Sequence, residues 1–288
     1  MIEIRSAGSS LVRYEESIFP GGEVHIRLKN GVERHVGPFT ITAYLHSSND
    51  LMKLLLITDA LKIKYGNAPI HLVLPYVPYG RQDRVCNPGE SLSLRVFANI
   101  INSQDYQSVE IWDPHSDVTY ALINRVNVVH QCAFVLKTVN RLLTSLSSQQ
   151  HKLLLCAPDQ GALKKAQISS KLVGLPLINA EKIRDPKTTQ ITDIKLNVDS
   201  SYTPECDILI IDDICDGGRT FIELAKKLKQ KFDGNIYLYV THGIFSKDLD
   251  VVLEAGIKHI YTANLWPDRG YVPYGKKVTE VLTHITRN

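Results

Sequence analysis

The chain has 288 residues, 44% hydrophobic and 22% charged, a globular composition with room for two domains of ordinary size. Its net charge of +3 suits phosphorylated small molecules and is too small to argue for a nucleic-acid surface. The 5 cysteines form no CxxC pair and are expected as reduced thiols in a cytoplasmic setting. No apolar run reaches the roughly 18 residues that span a bilayer, and Met1-Ile-Glu-Ile-Arg-Ser6 alternates like a strand, unlike a signal peptide.

In chain order, residues 1–28 read as a short β region. Glu23 to Leu28 alternate as a half-buried strand does, and Phe19-Pro-Gly-Gly-Glu23 before them reads as a hairpin turn. Leu51, Leu54, Leu55, Thr58 and Leu61 fall at helical spacing, with Asn49 or Asp50 as the expected cap. Ile70 to Leu74 reads as a buried strand. It runs into Pro75-Tyr-Val-Pro-Tyr-Gly-Arg-Gln-Asp-Arg84, which the prolines and the glycine make an ordered loop. Arg81 and Arg84 supply forked donors suited to phosphate. Val109 to Trp112 is a third strand, followed by Asp113-Pro-His-Ser-Asp117. His115 there lies just past a strand's C-terminal end, where α/β sites gather.

A helix is expected over Lys137–Leu146, and the polar run from Ser145 to Gln150 marks the expected domain boundary, dividing the chain into 1–146 and 147–288. Lys152 to Cys156 starts another buried strand, then Ala157-Pro-Asp-Gln-Gly161 leads into a helix. Pro176 to Ala180 is a strand, and Glu181-Lys-Ile-Arg-Asp-Pro186 with the polar stretch to Ser201 reads as a loop. Cys206-Asp-Ile-Leu-Ile-Ile-Asp-Asp-Ile-Cys-Asp-Gly-Gly-Arg-Thr220 is the stretch the rest is arranged around. It reads as buried strand, acidic turn, glycine loop and helix N-terminus. Glycines at 217 and 218 let the backbone approach a ligand, and free amides with the helix dipole favour an anion. Thr220 can cap the helix or hold a phosphate oxygen. Paired aspartates at 212 and 213 suit sugar hydroxyls or a bridging Mg²⁺. Strands at Asn235–Val240 and Lys258–Thr262 and a last helix near 277–285 complete the pattern. Strand-then-helix units in both halves argue for α/β domains with parallel sheets.

The loop at 75–84, continuing through Ser91-Leu-Ser-Leu-Arg-Val-Phe-Ala-Asn99, resembles the ATP-binding segment of ribose-phosphate pyrophosphokinases. The stretch at 206–220 resembles the ribose-5-phosphate loop of that family and of type I phosphoribosyltransferases. The resemblance implies two phosphoribosyltransferase-type (type I) domains meeting at a cleft, the last helix packing back on the first domain. It implies Mg²⁺-dependent transfer of the β,γ-diphosphoryl group of ATP to ribose 5-phosphate. Phe19, Glu23, Arg81, Gln82, Asp83 and His115 would then bind ATP. Asp212, Asp213, Asp216, Gly217, Gly218, Arg219 and Thr220 would hold ribose 5-phosphate. His115, Asp159, Asp212 and Asp213 would lie at the metal, and Lys182 and Arg184, on a mobile loop, would join His115 as catalytic groups. Homo-oligomers built from dimers, commonly hexamers, are expected. Two other readings stay open: a phosphoribosyltransferase that consumes 5-phosphoribosyl 1-diphosphate (PRPP), and a catalytically silent relative that regulates an active partner.

Besides Pro114, where the family more often has leucine, three places depart from the family's pattern. Gly21 stands where an aspartate reads adenine, so weaker discrimination against GTP is expected. Val85-Cys-Asn-Pro-Gly-Glu90 replaces a basic run of regulated members, so phosphate control is expected to be weak. Arg219 replaces a small residue of the phosphate loop, and its guanidinium is expected to point outward to a phosphate or a nearby carboxylate.

Overall fold

The computed structural model describes residues 1–7, 10–29, 37–145, 152–184, 191–247, 249–266 and 278–280. The chain divides into two compact units, Met1–Val129 and His130–Asn288.

The first unit opens with β1 (Ile2–Ser6), β2 (Tyr14–Ile18), β3 (Val24–Leu28) and β4 (Phe39–Ala43). Helix α1 (Ser48–Tyr65), β5 (Ile70–Leu74), α2 (Ser93–Asn102), β6 (Ser108–Trp112), α3 (Asp117–Leu122) and β7 (Val126–Val129) follow. The sheet order is β1-β4-β5-β6-β7, parallel except for β1. From β4 to β7 each strand lies beside its predecessor. Right-handed crossovers then carry all three helices to one face. The core lies on that face, where Ile41, Leu72 and Ile111 of the strands meet Leu54 and Ile57 of α1 and Phe97 and Ile101 of α2. Helix α1 is capped by Ser47, whose hydroxyl accepts from the Asp50 amide, two to three residues before the expected Asn49 or Asp50. Strands β2 and β3 form a separate hairpin, with Lys53 of α1 2.7 Å from Glu16.

The second unit runs α4 (Gln131–Ser145), β8 (Leu153–Ala157), α5 (Gln160–Val173), β9 (Leu177–Arg184), β10 (Ile191–Asn197), β11 (Asp207–Cys215), α6 (Arg219–Lys229), β12 (Ile236–Gly243), α7 (Leu249–Glu254), β13 (Ile257–Leu265) and β14 (Val278–Glu280). Its sheet order is β10-β9-β8-β11-β12-β13-β14. The chain steps one way from β8 to β9, then returns to the other side of β8 and steps the opposite way from β11 to β13. That reversal puts α6 and α7 on one face, packed on Ile208, Ile210, Leu238 and Val240, and α5 with α4 on the other. It also opens a crevice at the C-terminal ends of β8 and β11, the place where open α/β sheets bind ligands.

Three expectations change. The division falls before α4, because that helix packs on α5 and β12 of the second unit. The polar run at 145–150 lies almost wholly outside the described residues and does not mark the boundary. Residues 181–184 and 191–197, expected as loop, are antiparallel strands paired from Asn179↔Asn197 to Arg184↔Ile191, with one register shift between Ile191 and Asp193. Of the expected last helix only 278–280 are described, and they form a strand paired parallel to β13 through Ile260↔Val278, as β-branched Val278 and Thr279 allow. Among the described residues no helix is long and apolar enough to cross a membrane.

Candidate active site

Strand β11 is buried on both faces, with Ile208, Leu209, Ile210 and Ile211 all at 0% exposure. It continues through the two aspartates to Cys215, so they belong to the strand and not to a turn. Consecutive strand residues point to opposite faces. Asp213 faces α5, where the Lys165 ammonium lies 3.9 Å from its Oδ2. Asp212 takes the other face, and its Oδ1 accepts from the Asp213 amide at 2.9 Å. Burial first, then the charges of Asp213 and Asp159, hold the Asp212 carboxyl well above the usual carboxylate range, against the pull of that amide. Asp159 caps α5, its Oδ1 accepting from the Ala162 amide at 3.1 Å. The two ends of the switch point therefore bring Asp159, Asp212, Asp213 and Lys165 together.

The glycine loop follows. Gly218 caps α6 at φ 73°, and a Cβ on it would lie 2.6 Å from Val252 Cγ2 of α7. Only glycine meets both demands. Behind the loop, the amides of Ile244 and Phe245 donate to the Cys215 carbonyl at 2.9 and 3.1 Å, and the Ser246 amide donates to the Asp216 carbonyl at 3.2 Å. Helix α6 shows no side-chain cap at Gly218, which leaves its N-terminus suited to an anion. Arg219 turns back along the helix, its Nε donating to Glu223 Oε1 at 2.8 Å. This is the outward contact to a carboxylate that the sequence suggested.

In the first unit, the 75–84 loop leaves the C-terminal end of β5 in two tight turns, Gly80 N–H to Val77 O at 3.1 Å and Gln82 N–H to Tyr79 O at 2.8 Å. Tyr79 takes φ 63° and sets its ring 6.1 Å from that of Phe97 on α2. Arg81 and Gln82 are exposed; Asp83 is buried, its Oδ1 accepting from Arg84 Nε at 3.1 Å. Burial is the largest influence and pushes the Asp83 carboxyl up, but the polar groups around it, Arg84 foremost, together outweigh it and the pKa falls below the ordinary value. Ser116 adds a weaker pull, short of a formed hydrogen bond. The β5 loop thus meets the turn that carries exposed His115. Phe19 (53% exposed) and exposed Glu23 sit on the β2–β3 hairpin, where the Phe19 amide donates to the Glu23 carbonyl at 2.9 Å. Lys182 and Arg184 lie two residues apart on β9, opposite Ile194 and Ile191.

Among the described residues no three His, Cys, Asp or Glu side chains form a metal cage. Mg²⁺ needs none, since it takes one or two carboxylates with water and phosphate oxygens. The Asp212 carboxyl, disfavoured as an anion by its surroundings, fits such an ion. Lys165 was missed by sequence reading. Its only signal was its place two turns after Asp159 on one helix.

A parallel sheet with carboxylates at its switch point, beside a glycine loop on a helix N-terminus, defines a phosphoribosyltransferase-type α/β site. Comparison with known proteins agrees. The family profile described as the N-terminal domain of ribose phosphate pyrophosphokinase matches residues 4–104. The ribose-phosphate pyrophosphokinase of Thermococcus kodakarensis is 29% identical over 272 residues, 92% of this chain and 90% of that one. That of Mycoplasma pneumoniae is 30% identical over 234 residues, 79% of this chain and 67% of that one. The crystal structure of phosphoribosylpyrophosphate synthetase from Mycobacterium smegmatis shares the fold, with a TM-score of 0.77 at 20% identity, covering 94% of this chain and 86% of that one. The chain belongs to the ribose-phosphate pyrophosphokinase family of enzymes.

Proposed function

We propose that the chain transfers the β,γ-diphosphoryl group of ATP to the 1-hydroxyl of ribose 5-phosphate, giving PRPP and AMP. The observation that carries this reading is the gathering of Asp159, Asp212 and Asp213 at the β8/β11 switch point, next to the Gly218-capped helix. The loop from Asp216 to Thr220 holds the 5-phosphate through backbone amides, including those of Gly217 and Arg219. Asp212 and Asp213 hold the ribose hydroxyls, and Lys165 keeps Asp213 in place. Arg81, Gln82, Asp83 and His115 meet the nucleotide, with Phe19 and Glu23 at its base. The 1-hydroxyl oxygen attacks the β-phosphorus, the bond from that phosphorus to the α,β-bridging oxygen breaks so that AMP leaves, and the hydroxyl proton passes to water. Mg²⁺, when bound, offsets the charge on the phosphate oxygens. Lys182 and Arg184 neutralise charge that builds on the β-phosphoryl group and on AMP. Positioning and charge supply the rate, without a covalent enzyme intermediate. In this reading the chain works as a homo-oligomer built from dimers.

The test is to incubate the full chain with ATP, Mg²⁺ and ribose 5-phosphate and to identify the products by mass. AMP and PRPP are expected together. Lys182→Ala should fold as wild type and lose kcat by about 10²-fold or more, the scale for removing one transition-state donor. AMP formation at near-wild-type rate in that variant would remove Lys182 from the mechanism. Consumption of PRPP with a free base, or activity only beside a second synthetase, would replace the reading with one of the two rivals.

A further inference from the structure

A phosphate monoester carries a charge of about −1.5 to −2 near pH 7. A helix N-terminus offers amides and the equivalent of roughly half a positive charge. The glycine loop therefore calls for a side-chain cation, and Arg219 is the one its own sequence offers. The Arg219 guanidinium, however, is engaged with Glu223 one turn along α6, an i,i+4 pair at 2.8 Å.

A second cation reaches the loop from elsewhere in the chain. After β12 the backbone turns over the end of β11, fixed there by the Ile244, Phe245 and Ser246 amides. Phe245 takes φ 45° and its ring closes on Gly243, where a Cβ would lie 2.4 Å from Phe245 Cε2. That fixed turn sets the start of the next residue, Lys247. Its stem runs over the loop: a Cβ on Gly217 would lie 3.7 Å from Lys247 Cδ and Cε and 3.9 Å from Cγ. Gly217 itself has no positive φ, and the three atoms nearest to such a Cβ all belong to Lys247, so the lysine bounds the space over it. Lys247 is exposed, and among the described residues its ammonium has no hydrogen-bond or ion-pair partner.

We infer that Lys247 is the side-chain cation that binds the 5-phosphate and lets the site prefer a phosphorylated sugar over a free one. The inference rests on the reading of the 216–220 loop as a ribose-5-phosphate site. Its stem lies against Gly217, so a short swing of the ammonium completes the contact. That swing orders a flexible, exposed side chain, which limits the gain.

The experiment is calorimetric titration of the full chain with ribose 5-phosphate and, separately, with ribose. Both are run in the presence of Mg²⁺ and a non-hydrolysable ATP analogue, for wild type, Lys247→Met, Lys247→Arg and Arg219→Met. Lys247→Met is expected to weaken ribose 5-phosphate binding about tenfold, the effect of one charge-assisted hydrogen bond at a partly exposed site, and to leave ribose binding unchanged. Lys247→Arg should recover affinity to within about threefold of wild type, and Arg219→Met should lose less than Lys247→Met. Tight wild-type binding that Lys247→Met leaves intact, or a loss that falls on Arg219→Met instead, overturns the assignment while the site reading stands. A wild type that binds ribose 5-phosphate no better than ribose overturns both.

Discussion

Asp212 is held at the end of a buried strand with two other carboxylates near it, in surroundings that disfavour its charge. Such a group costs stability in the ligand-free protein and serves only when substrate or cation arrives. Asp212→Asn should therefore raise the Tm of the protein in a chelator by about 2–4 °C, the shift for roughly 1 kcal/mol in a domain of this size, while kcat/KM falls. A lower Tm in the variant would mean the carboxylate is a structural acceptor. Glu90 is a different case. In the sequence it closes the 85–90 run that stands where regulated members are basic. In the structure its carboxylate accepts from the Cys86 and Asn87 amides at 2.9 and 3.0 Å and from Asn87 Nδ2 at 2.6 Å. Those contacts, led by the Asn87 side chain, hold its carboxyl below the ordinary range. A carboxylate already occupies the amides that a free anion would use. Inorganic phosphate should accordingly activate the enzyme less than about twofold at saturating substrate, on the scale of a lost anion contact; strong activation in a phosphate titration would contradict this. At this scale the sequence displayed what lies in one run, Asp212, Asp213 and the glycines. It hid Lys165 and Lys247, which come from an earlier helix and a later turn and meet the site only through the fold.

Elements were legible where both faces are buried. The apolar run from Ile208 to Ile211 announces a strand without alternation, because each face meets its own helix layer. Its continuation to Cys215 was not legible, since aspartates are rare in strands; what extends it is pairing with β12 as far as Cys215↔Gly243. The β9–β10 hairpin was hidden for a similar reason. Its polar, threonine-rich composition matches a loop, yet β10 is an edge strand, which tolerates and even favours polar residues. The turn between β11 and α6 carries the prediction at this scale. Gly218→Ala adds a methyl into Val252 and forces a non-glycine residue to φ 73°. It should destabilise the protein by about 2 kcal/mol and raise KM for ribose 5-phosphate. Adding Val252→Ala should return part of the stability, by the coupling expected of residues in contact. Additive losses in thermal melts would show that the steric contact does not set the loop.

At the scale of the molecule the two sheets are wound differently. The second reverses direction between β8 and β11 and places its carboxylates at that point. The first never reverses among its parallel strands, so its helices all lie on one face. This accounts for the alternation along β4, β5 and β6, where Ile41, Leu72 and Ile111 are fully buried while Thr40, His71 and Glu110 are only partly so. Two α/β halves with parallel sheets were legible from the repeated strand-then-helix pattern. The boundary between them was not. A polar run shows where a chain is solvated, but the unit to which α4 belongs depends on which partners Phe134, Val135 and Leu142 meet.

The contact between Gly218 and Val252 also bears on how such a loop can be moved. The groups proposed to hold ribose 5-phosphate sit in residues 212–220, but the shape of that stretch is moulded by amides at 244–246 and by a side chain at 252. Spliced into another sheet by itself, the short stretch would carry the letters of a binding loop without the mould that forms it. The smallest portable block runs from the start of β11 to the end of α7, residues 207–254. Recombination between related chains that breaks inside that block separates the loop from its support, whereas exchange at its ends keeps the two together.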